Sequence, residues 1–417
     1  MQGNGQVTAH IAAFEALLTP AGQRLLEALD PAEVEADPLG VATRLRRAPV
    51  EGTDALGVDL SELVGAALTQ ARLRGRARGK FGELAERMYF TPNGLEQSTR
   101  RPVAALRARR FAAAVPREAL VGDLGCGIGA DLLSLAEAGL RVEGVDADPF
   151  TVAVANANIA ARGLGERAHA REGDVTATPP GAYDAVFCDP ARRGRRGRVF
   201  DPDAYSPPWS QVMALAQGVS AACVKAAPGI PHDLVPEGCA AEWISVGGEV
   251  KEAALWFGGL SDGGRRATLL REGAEPAMLT ADPTLGAPPV AEPGRYLYEP
   301  DGAVIRAHLV AEAAAEIDGA LLDPHIAYIT SDRLAATPFS RAYEVRDVLP
   351  FSLKRLRSAL RERRVGTVTI KKRGSAVDVE KLRRDLRPSG PESAVVVLTR
   401  IGERPFALLC SEVTAFP

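Results

Sequence analysis

The sequence predicts an α/β fold in which a doubly wound, Rossmann-like parallel sheet follows a helical N-terminal region and precedes small α+β units. Three observations carry this. From about residue 118, short apolar runs alternate with amphipathic helical stretches, the pattern of parallel βαβ units. The first run leads into a tight glycine loop, Gly125, Gly127 and Gly129, that opens onto a helical stretch. Upstream of residue 100 the apolar residues recur only at three and four positions, with no alternating runs.

At 417 residues the chain exceeds what one hydrophobic core fills, roughly 250–300 residues, so several domains are expected. The divisions suggested are a helical region 1–100, a sheet domain 101–275, an α+β unit 280–345 and a basic unit 346–417. Apolar residues make up 46% and charged residues 25%, a globular balance. No apolar stretch approaches ~20 residues and no secretory signal opens the chain, so a cytoplasmic location is expected. Cys126, Cys188, Cys223, Cys239 and Cys410 stand singly, so neither a disulfide framework nor a metal site is expected.

Element by element, helices are expected over 11–29 and 60–90. The second contains Arg72, Arg74, Arg76, Arg78 and Lys80, which fit either a solvated helix face or a phosphate-binding surface. Strands are expected at 119–124, 141–145, 183–188 and 221–226. Runs at 242–246, 253–257 and 267–270 leave no room for helices between them and suggest antiparallel strands at one sheet edge. The Pro-, Ala- and Gly-rich stretch 273–294 reads as a linker. Beyond it come strand-like 296–298, helical 303–316, strand-like 326–329, helical 352–363, strand-like 366–370, helical 377–386, then strand-like 393–398 and 405–409.

The chemistry-bearing residues gather at the strand ends. Gly125, Gly127 and Gly129 let the backbone turn and approach a ligand, although a glycine triplet alone could be a plain structural turn. Asp146 ends the next strand at the spacing of a ribose-binding carboxylate. Asp148 and Pro149 suit a helix start, and Asp174 stands where a carboxylate can accept from an adenine amino group. The glycine spacing is not that of dinucleotide loops, and Asp123 would repel a pyrophosphate. It suits the sulfonium and ammonium of S-adenosylmethionine, the expected cofactor. The run resembles the class I methyltransferase fingerprint.

The fourth strand ends in Phe187-Cys-Asp-Pro-Ala-Arg-Arg-Gly194, which resembles the Asp-Pro-Pro-Tyr type motifs of class I enzymes acting on nucleobases. That resemblance implies that Asp189 and Pro190 meet the target base, with Arg192 beside them; as a bare loop it would only cap the sheet. Asp-Pro-Ala-Arg also occurs among RNA uracil-C5 methyltransferases, but their nucleophilic cysteine has no counterpart after the next strand, where Val224-Lys-Ala-Ala-Pro-Gly-Ile230 stands. Transfer to nitrogen or oxygen is therefore expected. Arg193, Arg195 and Arg196 extend a basic run suited to phosphates, or to a solvated loop.

The whole chain resembles a bacterial family of class I methyltransferases ending in ferredoxin-like and THUMP-like domains. The resemblance rests on Tyr89-Phe-Thr-Pro-Asn-Gly-Leu-Glu-Gln-Ser-Thr99, Asp123–Asp131, Asp189–Arg192, Val250-Lys-Glu-Ala-Ala-Leu-Trp256 and Thr369-Ile-Lys-Lys-Arg-Gly374. It implies structured RNA, transfer RNA above all, as partner. Independently, residues 346–417 hold 16 Lys and Arg against eight Asp and Glu in a chain of net charge −3, so Lys371, Lys372 and Arg373 read as a nucleic-acid surface. Gln97, ahead of the helix 102–114, is placed as a lid over the cofactor, or as a helix cap. No membrane partner is expected. The alternatives are methylation of protein or DNA, and an idle RNA-binding protein that keeps the fold; retention of Asp123, Asp146 and Asp174 together argues against the last.

Overall fold

A computed structural model describes residues 2–48, 50–179, 181–192 and 205–413. The chain divides into two units, one formed by 1–226, 231–239 and 254–262, the other by 227–230, 240–253 and 263–417.

In the first unit, helices Gln2–Leu17, Pro20–Glu27, Pro31–Ala36, Pro38–Arg47 and Leu60–Phe81 precede the sheet. The expected single helix over 11–29 is broken because Thr19 caps a new helix that starts at Pro20. The one over 60–90 stops at Gly82, whose φ of 60° ends the helical path. A 3₁₀ turn, Gly82–Arg87, and a short helix, Pro92–Gln97, follow, and helix Arg101–Ala114 leads into the sheet.

Strands β1 (Leu120–Leu124), β2 (Arg141–Asp146), β3 (Ala168–Glu172) and β4 (Ala185–Cys188) run parallel. A two-residue pair, β5 (Ala191–Arg192) and β6 (Tyr205–Ser206), is antiparallel; β7 (Ala221–Ala226) then lies parallel beside β4. The order is β3-β2-β1-β4-β7. The chain builds outward from β1 in one direction, then returns to its other side. Such a reversal opens a crevice at the carboxyl ends of the two central strands, and Asp123 and Asp189 lie there.

In the second unit, β8 (Ala240–Val246) turns through Gly247 and Gly248 into β9 (Glu249–Gly258), whose last residues from Ala254 belong to the first unit. β10 (Arg265–Leu270) lies parallel to β8, not antiparallel as expected. Two successive reversals of the chain restore the direction of β8. β11 (Ala277–Thr280) pairs antiparallel with β10, so the expected linker contains a strand.

The remaining strands form one sheet: β12 (Tyr296–Pro300), β13 (Ala320–Asp323), β14 (Ile326–Ser331), β15 (Ser340–Pro350), β16 (Val365–Lys372), β17 (Glu392–Ile401) and β18 (Arg404–Glu412), in the order β13-β14-β12-β15-β18-β17-β16. The segments expected as two small units thus share one sheet through β12 and β15. The expected helix 303–316 is two, Gly302–Arg306 and Val310–Glu316, separated at His308 with φ 56°. Helices Leu353–Glu362 and Val379–Leu386 cover one face, where Leu356, Leu360, Leu382 and Leu386 pack with Val396 and Leu398. Val395 and Val397, alternating with these, face a second core with Leu297, Tyr328 and Tyr343.

Candidate active site

Beyond Leu124 the backbone passes through Gly125 (φ 87°), Gly127 (φ 54°) and Gly129 (φ 87°), the left-handed region where glycine alone is unstrained. Gly125 and Cys126 donate their N–H groups to the Val145 carbonyl at 2.9 and 3.1 Å, which fixes the loop against the end of β2. A Cβ at Gly125 would meet the Asp189 carbonyl oxygen at 3.0 Å, whereas one at Gly127 would meet no atom of the described residues within 4 Å. The loop therefore keeps one open side on which a ligand can reach the backbone.

The Asp146 carboxylate ties this loop to the next. Its Oδ2 accepts the Gly127 N–H and its Oδ1 the Asp148 N–H, both at 3.0 Å. Each oxygen retains a lone pair for a further donor. Asp148 caps helix Pro149–Ala161 by accepting from the Thr151 N–H at 3.1 Å. Asp174 is exposed, and its bonds from Thr176 hold its carboxyl below the ordinary range.

Asp123 differs from all of these. It is 1% exposed and, among the described residues, neither carboxylate oxygen accepts a hydrogen bond of ordinary geometry. Burial, reinforced by nearby Asp131 and Asp189 and opposed by Arg107, pushes its carboxyl well above the ordinary range. Arg107 is itself ion-paired to Asp131 and lies 4.2 Å from the Phe187 ring centre. A buried carboxylate without donors is costly, so the site fits a ligand that brings a cation and N–H groups to Asp123. An S-adenosylmethionine ammonium meets that demand.

Asp189 and buried Pro190 follow β4. Asp189 Oδ2 is 2.6 Å from Lys225 Nζ, which also donates to Thr99 Oγ1 at 3.3 Å. Arg192 lies in β5, opposite Tyr205. Arg193, Arg195 and Arg196 lie outside the described residues.

The segment from Tyr89 to Thr99 is pinned beside the loop by polar groups that no sequence motif marks for this purpose. Asn158, fully buried, exchanges hydrogen bonds with the Tyr89 backbone and donates to the Ile128 carbonyl at 2.9 Å. Gln70 does the same with the Phe90 backbone. Lys80 donates to the carbonyls of Leu95, Glu96 and Ser98 at 2.7–2.9 Å and so caps helix Pro92–Gln97. Gln97 is exposed at the end of that helix. Arg74 donates to the Met88 carbonyl and Arg78 pairs with Glu86, so three members of the Arg72–Lys80 run are engaged within the unit.

In the second unit, Lys371 Nζ lies 3.0 Å from Glu299 Oε2 and Arg373 3.6 Å from Glu299 Oε1, while Lys372 donates to the Val377 carbonyl. Lys354, Arg355 and Arg361 are exposed on helix Leu353–Glu362.

Comparison with known proteins decides the family. A methyltransferase domain matches residues 121–192, a THUMP domain-like family 340–412 and a domain of unknown function 10–77. An uncharacterized S-adenosylmethionine-dependent methyltransferase of Mycobacterium tuberculosis (strain H37Rv) is 40% identical over 356 residues, covering 82% of this chain and 94% of the relative. The chain belongs to the S-adenosylmethionine-dependent methyltransferases. It is a class I methyltransferase with a C-terminal THUMP-like domain, and S-adenosylmethionine is its cofactor. A 23S rRNA (uracil(1939)-C(5))-methyltransferase of Acidithiobacillus ferrooxidans is 38% identical over 78 residues, covering 17% of this chain and 18% of that protein. The fold is shared with the crystal structure of a candidate methyltransferase from Porphyromonas gingivalis W83, at TM-score 0.71 and 21% identity, over 93% of this chain and 100% of that one. Among the described residues, no helix is long and apolar enough to cross a membrane.

Proposed function

We propose that this methyltransferase modifies a base nitrogen in structured RNA, transfer or ribosomal. The observation that supports it best is Asp189: among the described residues its Oδ2 is held by Lys225 while Oδ1 accepts no hydrogen bond, so one oxygen stays available to an amino or imino N–H of a base. The THUMP-like domain and the rRNA-modifying relative favour RNA.

When bound, S-adenosylmethionine would supply an electrophilic methyl group to the acceptor nitrogen, whose proton would pass to Asp189. The chain's own residues bind and orient. In this reading Asp123 holds the cofactor ammonium, Asp146 the ribose hydroxyls and Asp174 the adenine amino group. Gly125, Gly127 and Gly129 allow the close approach, Asp148 keeps the second loop in place, and Gln97 folds over the methionine end. Asp189 accepts from the target nitrogen, Pro190 stiffens the turn, and Arg192, Arg193, Arg195 and Arg196 grip flanking phosphates. In the second unit, exposed Lys372 with Lys354, Arg355 and Arg361 offers positive charge to RNA phosphates, while Lys371 and Arg373 stand beside Glu299.

All five cysteines are buried, and burial beside Asp189 and Asp123 pushes the Cys188 thiol far up, away from the thiolate that addition to a pyrimidine ring needs. This favours nitrogen over carbon. Nucleoside mass spectrometry of RNA from cells with and without the gene tests the function: one methylated nucleoside should vanish. Unchanged RNA nucleosides alongside a lost protein or DNA methylation would transfer the activity to that substrate.

A further inference from the structure

Lys225 is a charged residue in a strand otherwise built of Ala, Cys and Val, and every other residue of that strand is buried. Its ammonium reaches the carboxyl end of the sheet, where it joins two segments far apart in the chain, Asp189 at 2.6 Å and Thr99 at 3.3 Å. The Lys225 side chain is 17% exposed and that of Asp189 30%, so the pair is recessed yet reachable. The Asp189 carboxylate thus places a hydrogen-bond acceptor directly beside a fixed positive charge. Nucleobase edges carry the complement, an N–H next to a carbonyl oxygen or an unprotonated ring nitrogen.

We propose that Lys225 is a specificity-determining residue of the methyl-acceptor site. With Asp189 it reads a base edge, Asp189 Oδ1 accepting from the N–H of the target nitrogen and Lys225 setting its positive charge against the adjoining acceptor atom. The idea rests on the nucleobase reading above and deepens it. A neighbouring ammonium also favours negative charge on that acceptor atom as the target nitrogen gives up its proton. Thr99 sets the lysine's direction, which links the Tyr89–Thr99 segment to substrate choice. A purely structural Lys225 would matter for folding or cofactor binding instead.

The test compares wild type, Lys225→Gln and Lys225→Arg. Each receives labelled S-adenosylmethionine with either total RNA from a strain lacking the gene or heat-denatured genomic DNA, and cofactor affinity is measured by calorimetry. Lys225→Gln should lose at least 30-fold in kcat/KM for the nucleic acid while cofactor Kd stays within about threefold, and Lys225→Arg should recover most of the loss because it restores a charged donor. Full activity in Lys225→Gln, or a cofactor affinity that falls in step with activity, would overturn the proposal. Transfer to DNA alone, still dependent on Lys225, would sink the RNA reading and keep this one. A wild type that labels neither nucleic acid would remove both.

Discussion

Asn158 grips the backbone of Tyr89 at both ends, accepting its N–H at 2.7 Å and donating to its carbonyl at 3.0 Å. The third bond of the same amide, to the Ile128 carbonyl, makes this one side chain a strut between the glycine loop and the segment leading to Thr99. Replacing Asn158 by Leu leaves a buried N–H and two carbonyls without partners. The expected cost is about 2–4 kcal/mol of stability in urea unfolding, with cofactor affinity reduced because the loop loses its support. A Leu variant as stable as wild type would show that Tyr89 is held by something else.

Asp146→Ala should weaken S-adenosylmethionine binding by about 1–3 kcal/mol, since two loop N–H groups and the ribose hydroxyls lose an acceptor together. Calorimetry on the folded variant checks it. Unchanged affinity would remove Asp146 from the ribose site.

The raised carboxyl of Asp123 gives a signed pH prediction. A carboxyl whose folded-state pKa lies above its unfolded value favours the folded state fully at low pH, and that contribution is lost as pH rises through the folded value. Cofactor-free Asp123→Asn should therefore gain stability relative to wild type as pH climbs from about 4 upward. Cofactor binding should move oppositely, strengthening with pH in wild type as Asp123 ionises and staying flat in the variant. Denaturant titrations and calorimetry across that range decide it; a pH-independent difference would place Asp123 away from the cation.

Changing Cys188, Cys223 or Cys126 singly to Ala should leave methyl transfer within a few-fold of wild type. Because these thiols are buried, the cost should appear instead as about 1 kcal/mol of stability. A covalent complex trapped with 5-fluoropyrimidine RNA would contradict the nitrogen assignment.

Legibility in the sequence follows distance along the chain. The glycine loop, Asp123 and Asp146 can be found because local spacing encodes a strand, a turn and a second strand end. Lys225 and Asn158 cannot, since their partners lie 36 and 69 residues away and a lone polar residue in an apolar run has no local signal. β15 is hidden because Ser-Arg-Ala-Tyr-Glu-Val-Arg-Asp interleaves charges through a strand that is only half-buried. The basic tail is legible as charge but not as pairing: Glu299, which meets Lys371 and Arg373, sits on β12.

That pairing separates two kinds of charge reversal on the tail. Reversing Lys371 and Arg373 to Glu sets like charges around Glu299, and the expected result is a lower Tm before any effect on RNA. Reversing exposed Lys354, Arg355 and Arg361 should spare Tm, weaken RNA binding and lower the salt slope by about 0.7–0.9 for each phosphate no longer neutralised. Filter binding at several salt concentrations reads this out; an unchanged slope would move the phosphate path elsewhere.

The placement of β15 between β12 and β18 also orders events during synthesis. β18 begins at Arg404, some fifty residues after β15 ends at Pro350, and at roughly 5–20 residues per second a ribosome needs about 3–10 s to make that stretch. Once β15 has left the ribosome, and until β18 pairs with it, that edge offers a bare row of N–H and carbonyl groups to any passing strand. Its alternating charges, which hide it from pattern recognition, then act as a guard on the nascent chain, and slow codons in that stretch would lengthen the exposure.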